Sequence, residues 1–185
     1  MAYDETRGKT VMYGGQNADR RSFPNDTWTW DGSVWTLADS TSGPGGLAHH
    51  AMAYDRRRQR VVLFGGSGAR PATGDTWEWD GIKWERVATE GPGPRTHHRM
   101  AYDAARGQIV MHAGTETWTW DGKNWERRAT SGPPGRNVSA MAYDERRQRV
   151  VLFGGGAERG GGVPPYGYLN DTWEWDGAKW TRAAP

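Results

Sequence analysis

The chain of 185 residues contains no cysteine, which excludes disulfide bonds, thiolate metal sites and cysteine nucleophiles. No apolar run approaches the roughly 18 residues of a membrane helix. The first residues also lack the apolar segment of a signal peptide. We therefore expect no membrane partner, and the sequence assigns no compartment.

The chain also has no large excess of positive or negative charge. The 24 Lys and Arg residues and the 22 Asp and Glu residues give a net charge of +2, and both signs are spread along the chain. The basic runs RRRQR (56–60) and ERRQR (145–149) fall between two predicted strands, where solvated hairpin tips are expected. A groove for single-stranded nucleic acid would combine such charges with aromatic side chains that are free to stack. We expect no nucleic-acid partner.

Hydrophobic residues are scarce, at 35% of the chain with a mean hydropathy of -0.91. The chain has 12 Trp, 7 Tyr and 3 Phe instead, and one buried aromatic side chain covers about 150–250 Å². The 27 Gly and 10 Pro disfavour long helices and suit turns and short strands. We expect one all-β domain with a core of a few large aromatic rings.

The chain consists of four copies of one unit. Each copy begins with MAYD, at Met1, Met52, Met100 and Met141, which places the copies at about 1–51, 52–99, 100–140 and 141–185. A polar turn, an apolar run, a variable loop, a tryptophan-rich phrase and a Gly/Pro-rich connection follow in that order. The phrase reads NDTWTWDGSVW, GDTWEWDGIKW, TETWTWDGKNW and NDTWEWDGAKW, and it contains all 12 Trp.

Each copy is predicted to form four short antiparallel strands. The apolar run at 61–64 suits a strand that is covered on both faces. On the third strand Trp173 and Trp175 alternate with polar residues, so they share one face. The Asp-Gly turn after this strand would place Trp175 opposite Trp180. One such sheet cannot cover both of its faces alone, so we predict a β-propeller with four antiparallel blades.

These features resemble the Kelch-repeat family over the whole chain. The resemblance rests on the aromatic third strand, the Trp of the fourth strand and the double Gly after the second strand. The double Gly occurs at Gly14-Gly15, Gly65-Gly66 and Gly154-Gly155. The motif DTWEWDG is similar to motifs of galactose-oxidase-type and bacterial Kelch repeats. Copy three departs from the pattern with HAG at 112–114. The resemblance also implies more than four blades, which is the usual number in Kelch propellers.

The copies alternate in detail. Copies two and four share RRQRVVLFGG and DTWEWDG, whereas copies one and three share RG, a Met in the second strand and TWTWDG. This alternation indicates duplication of a two-blade unit, although convergent drift would give the same pattern. The outer faces of the first and last blades are expected to be large and rich in Trp. We expect a homodimer of half-rings with eight blades; a four-bladed monomer and a piece of a longer chain are the alternatives.

Loops on one face of a propeller are the expected ligand surface. Histidines cluster at the entry to the first strands of copies two and three, at His49, His50, His97 and His98. Adjacent residues on a strand point to opposite faces, so we expect that neither pair chelates a metal by itself. One imidazole from each of several blades could converge on an axial channel and bind a metal, whereas packing at the start of a blade is the simpler role. His112 replaces an aromatic residue of the frame. We predict that it packs as a ring substitute, with exposure to the channel as the alternative.

The other candidates for ligand binding lie in loops. Arg95 and Arg136 follow Gly/Pro turns, where they could meet an anionic ligand or hydrogen bond to a neighbouring loop. The loop after the double Gly is longest in copy four (156–170), and it carries the two Tyr outside the repeat frame, Tyr166 and Tyr168. A binding loop with two aromatic side chains is one interpretation, and a tolerated surface insertion is the other.

The recurring Asp residues precede turns, and we interpret them as turn formers rather than as calcium ligands. They are Asp4, Asp55, Asp103, Asp144, Asp31, Asp80, Asp121 and Asp176. The resemblance to galactose oxidase would imply a copper site with a Cys–Tyr cross-link, which this chain cannot form. We predict a non-catalytic module that binds a protein or glycan ligand, without cofactor or metal. A structural or engineered scaffold without a ligand and a metal-dependent enzyme are the alternatives.

Overall fold

The fold is known from a computed structural model, which describes residues 1–19, 21–68, 71–157 and 167–184. The predicted fold class is confirmed: the chain is an all-β propeller with four antiparallel blades. It divides into two compact units, Met1–Thr96 and His97–Pro185, and each unit contains two blades. The described residues include no helix that is long and apolar enough to cross a membrane.

The strands of the first unit form blades 1 and 2. In chain order they are β1 (Ala2–Asp4), β2 (Lys9–Tyr13), β3 (Thr27–Trp30), β4 (Trp35–Asp39), β5 (Leu47–Ala48), β6 (Ala51–Asp55), β7 (Arg60–Phe64), β8 (Ser67–Gly68), β9 (Thr76–Trp79) and β10 (Trp84–Ala88). Blade 1 has the order β1-β2-β3-β4, and blade 2 has the order β6-β7-β9-β10. The short strands β5 and β8 pair on the loop side of blade 2.

The strands of the second unit form blades 3 and 4. They are β11 (Arg99–Asp103), β12 (Gln108–Ala113), β13 (Glu116–Trp120), β14 (Trp125–Ala129), β15 (Arg136–Asn137), β16 (Ala140–Asp144), β17 (Arg149–Ala157), β18 (Tyr168–Trp175) and β19 (Trp180–Ala184). Blade 3 has the order β11-β12-β13-β14, and β16, β17, β18 and β19 form blade 4. Strand β15 pairs with the end of β17, as β5 pairs with β8 in the first unit.

Two local predictions from the sequence are confirmed. The second strand of blade 2 is covered on both faces, since Val61, Val62, Leu63 and Phe64 are fully buried. The tryptophan phrase forms a hairpin in which Trp175 lies opposite Trp180, with 5.6 Å between the ring centroids. The other three blades contain the same cross-strand Trp pair at nearly the same separation. Such aromatic pairs stabilise a hairpin and fix its register.

The recurring Asp residues close turns, as predicted. In blade 4 the carboxylate of Asp176 accepts hydrogen bonds from the backbone N–H groups of Ala178 and Lys179, at 2.8 and 2.9 Å. These bonds stabilise the charged carboxylate and hold the pKa of Asp176 below its usual value. In the first hairpin of blade 1, Asp4 accepts bonds from both the backbone and the guanidinium of Arg7.

The double Gly takes a conformation that other residues avoid. Gly154 and Gly155 have φ values of 61° and 109°, in the region where a Cβ clashes with the backbone. A Cβ on Gly155 would also lie 2.7 Å from the carbonyl oxygen of Asn137. The backbone of β17 can therefore lie this close to Asn137, in the connection that leads into blade 4, only because Gly155 has no side chain.

In the first unit, blade 2 docks on blade 1 through a tryptophan of its fourth strand. The indole N–H of Trp84 donates a hydrogen bond to the hydroxyl of Thr27 at 2.9 Å, and both residues are buried. The edge of this indole packs against Tyr13, with 5.3 Å between the ring centroids. On another part of the junction, the hydroxyl of Tyr54 in β6 hydrogen bonds to Thr6 at 2.7 Å.

The second unit repeats this junction between blades 3 and 4. Trp180 donates its indole N–H to Thr117 at 2.7 Å and packs edge-on against His112, with 5.7 Å between the ring centroids. The backbone N–H of Ala105 donates to the hydroxyl of Tyr143 at 3.0 Å. The tryptophan of one blade therefore docks on the preceding blade in the same way in both units, and the tyrosine hydroxyl hydrogen bonds to the same turn of that blade.

Candidate functional site

A cleft of about 660 Å³ opens on the loop side of the first unit. Three chain segments line it: the loop of blade 1 around Phe23, the connection Gly43–Leu47, and, in the loop of blade 2, Gly68, Pro71, Thr73 and Asp75. Its volume lies within the range of about 300–1,000 Å³ that small-ligand pockets usually have. The repeats thus create one concave site from segments that are far apart in the sequence.

Glycine allows these three segments to approach one another closely. A Cβ on Gly46 would overlap the carbonyl oxygen of Phe23, and a Cβ on Gly68 would overlap the carbonyl oxygen of Gly46. Since neither residue has a side chain, the three backbones stack and leave peptide groups in the wall of the cleft.

The blade 1 side of the cleft is held by its own hydrogen bonds. The carboxylate of Asp19 accepts the backbone N–H groups of Arg21 and Ser22 at 2.9 and 3.2 Å. The backbone N–H of Asn17 donates to the carbonyl of Ser22 at 3.0 Å. These bonds join Asn17 and Asp19 to Arg21 and Ser22, next to Phe23 in the wall of the cleft.

The floor and the opposite side are also fixed. The hydroxyl of Tyr13 donates to the carbonyl of Gly45 at 2.8 Å, and burial raises the pKa of Tyr13 above its usual value. In the loop of blade 2, the N–H of Thr73 donates to the carbonyl of Gly66 at 3.0 Å, and the Thr73 hydroxyl accepts the N–H of Asp75 at 3.1 Å. The cleft is therefore preorganised on both sides.

The lining combines an aromatic ring, hydroxyls and charges of both signs. Phe23 provides the aromatic surface, and Ser22 and Thr73 lie in the wall. Arg21 and Asp75 provide one charge of each sign, and the carboxylate of Asp75 lies 3.7 Å from Arg86 in a partly exposed ion pair. Such a lining can hydrogen bond to a polar ligand and pack against its apolar face.

The histidine pairs do not sit on strands as expected. Both pairs precede the first strand of a blade, since β6 begins at Ala51 and β11 at Arg99. His49 and His97 have positive φ values of 59° and 61°, which turns the chain into the strand. The argument from strand alternation therefore does not apply to these pairs, because they lie before the strands.

The second histidine of each pair is buried or nearly so, and His50 packs inside its own unit. His50 lies edge-on to Tyr13 with 6.0 Å between the ring centroids, and burial lowers its pKa to about 4. Its Nδ1 atom has no hydrogen-bond partner among the described residues. His98 is buried as well. The described residues contain no group of three His, Asp or Glu side chains that could hold a metal ion.

His112 packs as a ring substitute, as predicted. It takes the place of Tyr13 in the junction between blades and makes a T-shaped contact with Trp180. It is buried, and neither ring nitrogen has a hydrogen-bond partner among the described residues. Burial, together with the charge of Arg136, lowers the pKa of His112 to about 4, so the ring is neutral at pH 7.

Arg136 is committed to a buried ion pair. Its guanidinium binds both carboxylate oxygens of Asp171, at 2.6 and 3.0 Å, and donates to the carbonyl of Gly154 at 3.1 Å. These hydrogen bonds lower the pKa of Asp171 to about 2. Of the two roles open to Arg136 from its sequence, the structure therefore shows the structural one. Arg95, at the same place in the connection between blades 2 and 3, donates to the carbonyls of Pro92 and Gly93.

Of the two candidate tyrosines of copy four, Tyr168 is among the described residues. Tyr166 lies outside the described residues. Tyr168 belongs to strand β18, where it pairs with Gly156, and its side chain is almost fully exposed. Strands β17 and β18 thus extend into the segment expected to be a loop, because their ladder continues past the double Gly.

Sequence reasoning missed the side chains that line the cleft, Phe23 among them, and the partner of Arg136. One signal for Asp171 was present: an acidic residue stands two positions before the first Trp of every phrase. In three copies it accepts the indole N–H of that Trp, at 2.6 to 3.1 Å, in the pairs Trp28–Asp26, Trp118–Glu116 and Trp173–Asp171. The sequence also offered a signal for Phe23, because this residue lies in the long loop that follows the double Gly of copy one.

The chain was also compared with known proteins. No family model matches it, and no curated protein matches it.

Proposed function

We propose that this four-bladed propeller is of Kelch type and is a non-catalytic binding module whose ligand occupies the cleft of the first unit. The observation that carries the proposal is the cleft itself: a volume of about 660 Å³ between three segments that hydrogen bonds hold in place. The double Gly with positive φ and the four cross-strand Trp pairs support the Kelch assignment.

The lining favours a polar ligand with an apolar face. Phe23 offers a ring for packing, the walls offer peptide groups, and Arg21 and Asp75 offer one donor and one acceptor of opposite charge. A segment of a glycan fits this combination best, because sugar rings present hydroxyls and C–H groups together. A short extended protein segment is the other ligand that we propose to test.

The test is a titration of the isotope-labelled protein with a panel of neutral and acidic oligosaccharides and capped tetrapeptides. We expect a binder to shift the backbone amide signals of residues 43–47 and 73–75. Arg21→Ala and Phe23→Ala should weaken its binding at least tenfold. Tyr168→Ala is the matched control, since this exposed aromatic residue lies in the second unit.

Two outcomes would contradict the proposal. Loss of binding on Tyr168→Ala, with the cleft variants unchanged, would move the site to the extended hairpin of blade 4. Absence of binding across the whole panel would favour the scaffold alternative.

A further inference from the structure

The junction between blades, found once in each unit, has a donor side and an acceptor side. We call the side that contains the Trp of the fourth strand the donor side, because its indole N–H donates, and this side also contains the Tyr of the first strand. In blade 2 these are Trp84 and Tyr54, which are 4% and 8% exposed. The acceptor side is the ring that ends the second strand and the Thr that opens the third, Tyr13 and Thr27 in blade 1.

Blade 1 has the donor side of this junction uncovered. Trp35 and Tyr3 occupy the positions of Trp84 and Tyr54 in the repeat, and they are 39% and 56% exposed. Trp35 is nevertheless positioned like its counterparts, since its cross-strand partner Trp30 holds it at 5.6 Å between ring centroids. Blade 1 therefore presents the docking tryptophan in the conformation that Trp84 has in its own junction.

Blade 4 has the acceptor side uncovered. Phe153 occupies the position of Tyr13 and His112, and it is 52% exposed although both counterparts are buried. Thr172 occupies the position of Thr27 and Thr117, and it is half-buried whereas those two are fully buried. Of the large aromatic side chains that are exposed among the described residues, Trp35, Tyr3 and Phe153 occupy positions that the repeated junction would cover, and Tyr168 does not.

We infer that a second copy of this chain covers these surfaces, with Trp35 of one copy docked against Phe153 and Thr172 of the other. The exposed residues of blades 1 and 4 occupy the same repeat positions as the residues that form the junctions inside the units. An unrelated partner would not have this match. Two copies can form this contact twice, blade 4 of each with blade 1 of the other, around a two-fold axis. The dimer then contains eight blades and buries both aromatic surfaces. This inference is independent of the proposed ligand cleft.

Light scattering on a sizing column tests the inference. We expect the full chain to have twice the mass of 20.6 kDa, and to keep it on hundredfold dilution. Trp35→Glu and Phe153→Glu should each give a monomer, because a carboxylate would be buried against an aromatic surface. Val34→Lys is the matched control on the same blade. Val34 is exposed and its counterparts in blades 2 and 4 are Lys83 and Lys179, so this variant should remain dimeric.

A mixing experiment separates loss of the interface from misfolding. In a mixed pair of Trp35→Glu and Phe153→Glu copies, one junction is wild type on both sides, whereas neither variant alone can form one. Mixing two monomeric variants should therefore regenerate a dimer of lower affinity. A wild-type mass of 20.6 kDa at all concentrations would overturn the inference. So would dimeric single variants, a mixture that stays monomeric, or a mass that grows with concentration without limit.

Discussion

The indole N–H of Trp180 donates a hydrogen bond to the hydroxyl of Thr117 at 2.7 Å, and both residues are buried. This bond joins the fourth strand of blade 4 to the third strand of blade 3. The residues are 63 positions apart in the chain, and Trp84 and Thr27 repeat the relationship in the first unit. The phrase that builds each blade thus also joins blades in pairs.

Thr117→Val tests the contribution of this bond. The substitution keeps the shape of the side chain but leaves the buried indole N–H without an acceptor, which costs about 1–3 kcal/mol. We expect the free energy of unfolding in urea to fall by that amount. Thr36→Val, on an exposed position of β4, is the control and should change it by less than about 0.5 kcal/mol. Equal losses in the two variants would contradict the role of the bond.

His112 should make the stability depend on pH. Burial lowers its pKa from 6.5 to about 4, so between these values the unfolded chain binds the proton and the folded chain does not. Its contribution is therefore complete above pH 6.5 and is lost as the pH falls toward 4. From pH 7.5 to pH 4.5 the loss is about 2–3 kcal/mol.

His112→Phe should remove this part of the pH dependence, because Phe is the residue at the same position in blades 2 and 4. His50, whose pKa is also lowered to about 4, would still contribute. Urea unfolding at the two pH values gives the comparison. Identical pH dependence in the variant and the wild type would show that the pKa of His112 is the same in the folded and the unfolded chain.

The ion pair between Arg136 and Asp171 should be costly to break on one side only. Arg136→Leu introduces the residue that copy one has at this position, Leu47, and leaves the Asp171 carboxylate without its guanidinium. We expect a loss of about 3–5 kcal/mol. Adding Asp171→Asn should recover part of that loss, since the amide carries no charge and still accepts the indole N–H of Trp173.

A double-mutant cycle of urea unfolding measures this coupling. The single Asp171→Asn variant completes the cycle. Strict additivity of the two changes would contradict the ion pair as the main interaction of both residues.

Adjacent glycines of β17 give a matched pair of backbone variants. Gly155→Ala places a Cβ at a φ of 109° and 2.7 Å from the carbonyl oxygen of Asn137, so a loss of more than about 1 kcal/mol is expected. A Cβ on Gly156 would meet no atom within 4 Å, so Gly156→Ala should be nearly neutral. Thermal unfolding of the two variants decides the matter, and a smaller effect at Gly155 than at Gly156 would contradict the geometry.

The blade could be predicted from the sequence because its determinants are local. The Asp-Gly turn and the alternation of Trp173 and Trp175 act within one hairpin, so spacing alone places Trp175 opposite Trp180. Burial of the apolar run at 61–64 follows from composition. The packing of His112 could be predicted too, because the repeat shows which residue type belongs at its position.

Only the tertiary structure decided the candidate site. Phe23, Gly46 and Gly68 line one cleft because the loops of two blades and the connection between them meet there, and no periodicity in the sequence records that meeting. The same holds for Arg136, whose partner Asp171 lies 35 residues away. Repeats specify what each blade contributes identically, whereas a site arises from loops in which the copies differ. The sequence by itself therefore determined the blades, and three-dimensional packing determined where a ligand can bind.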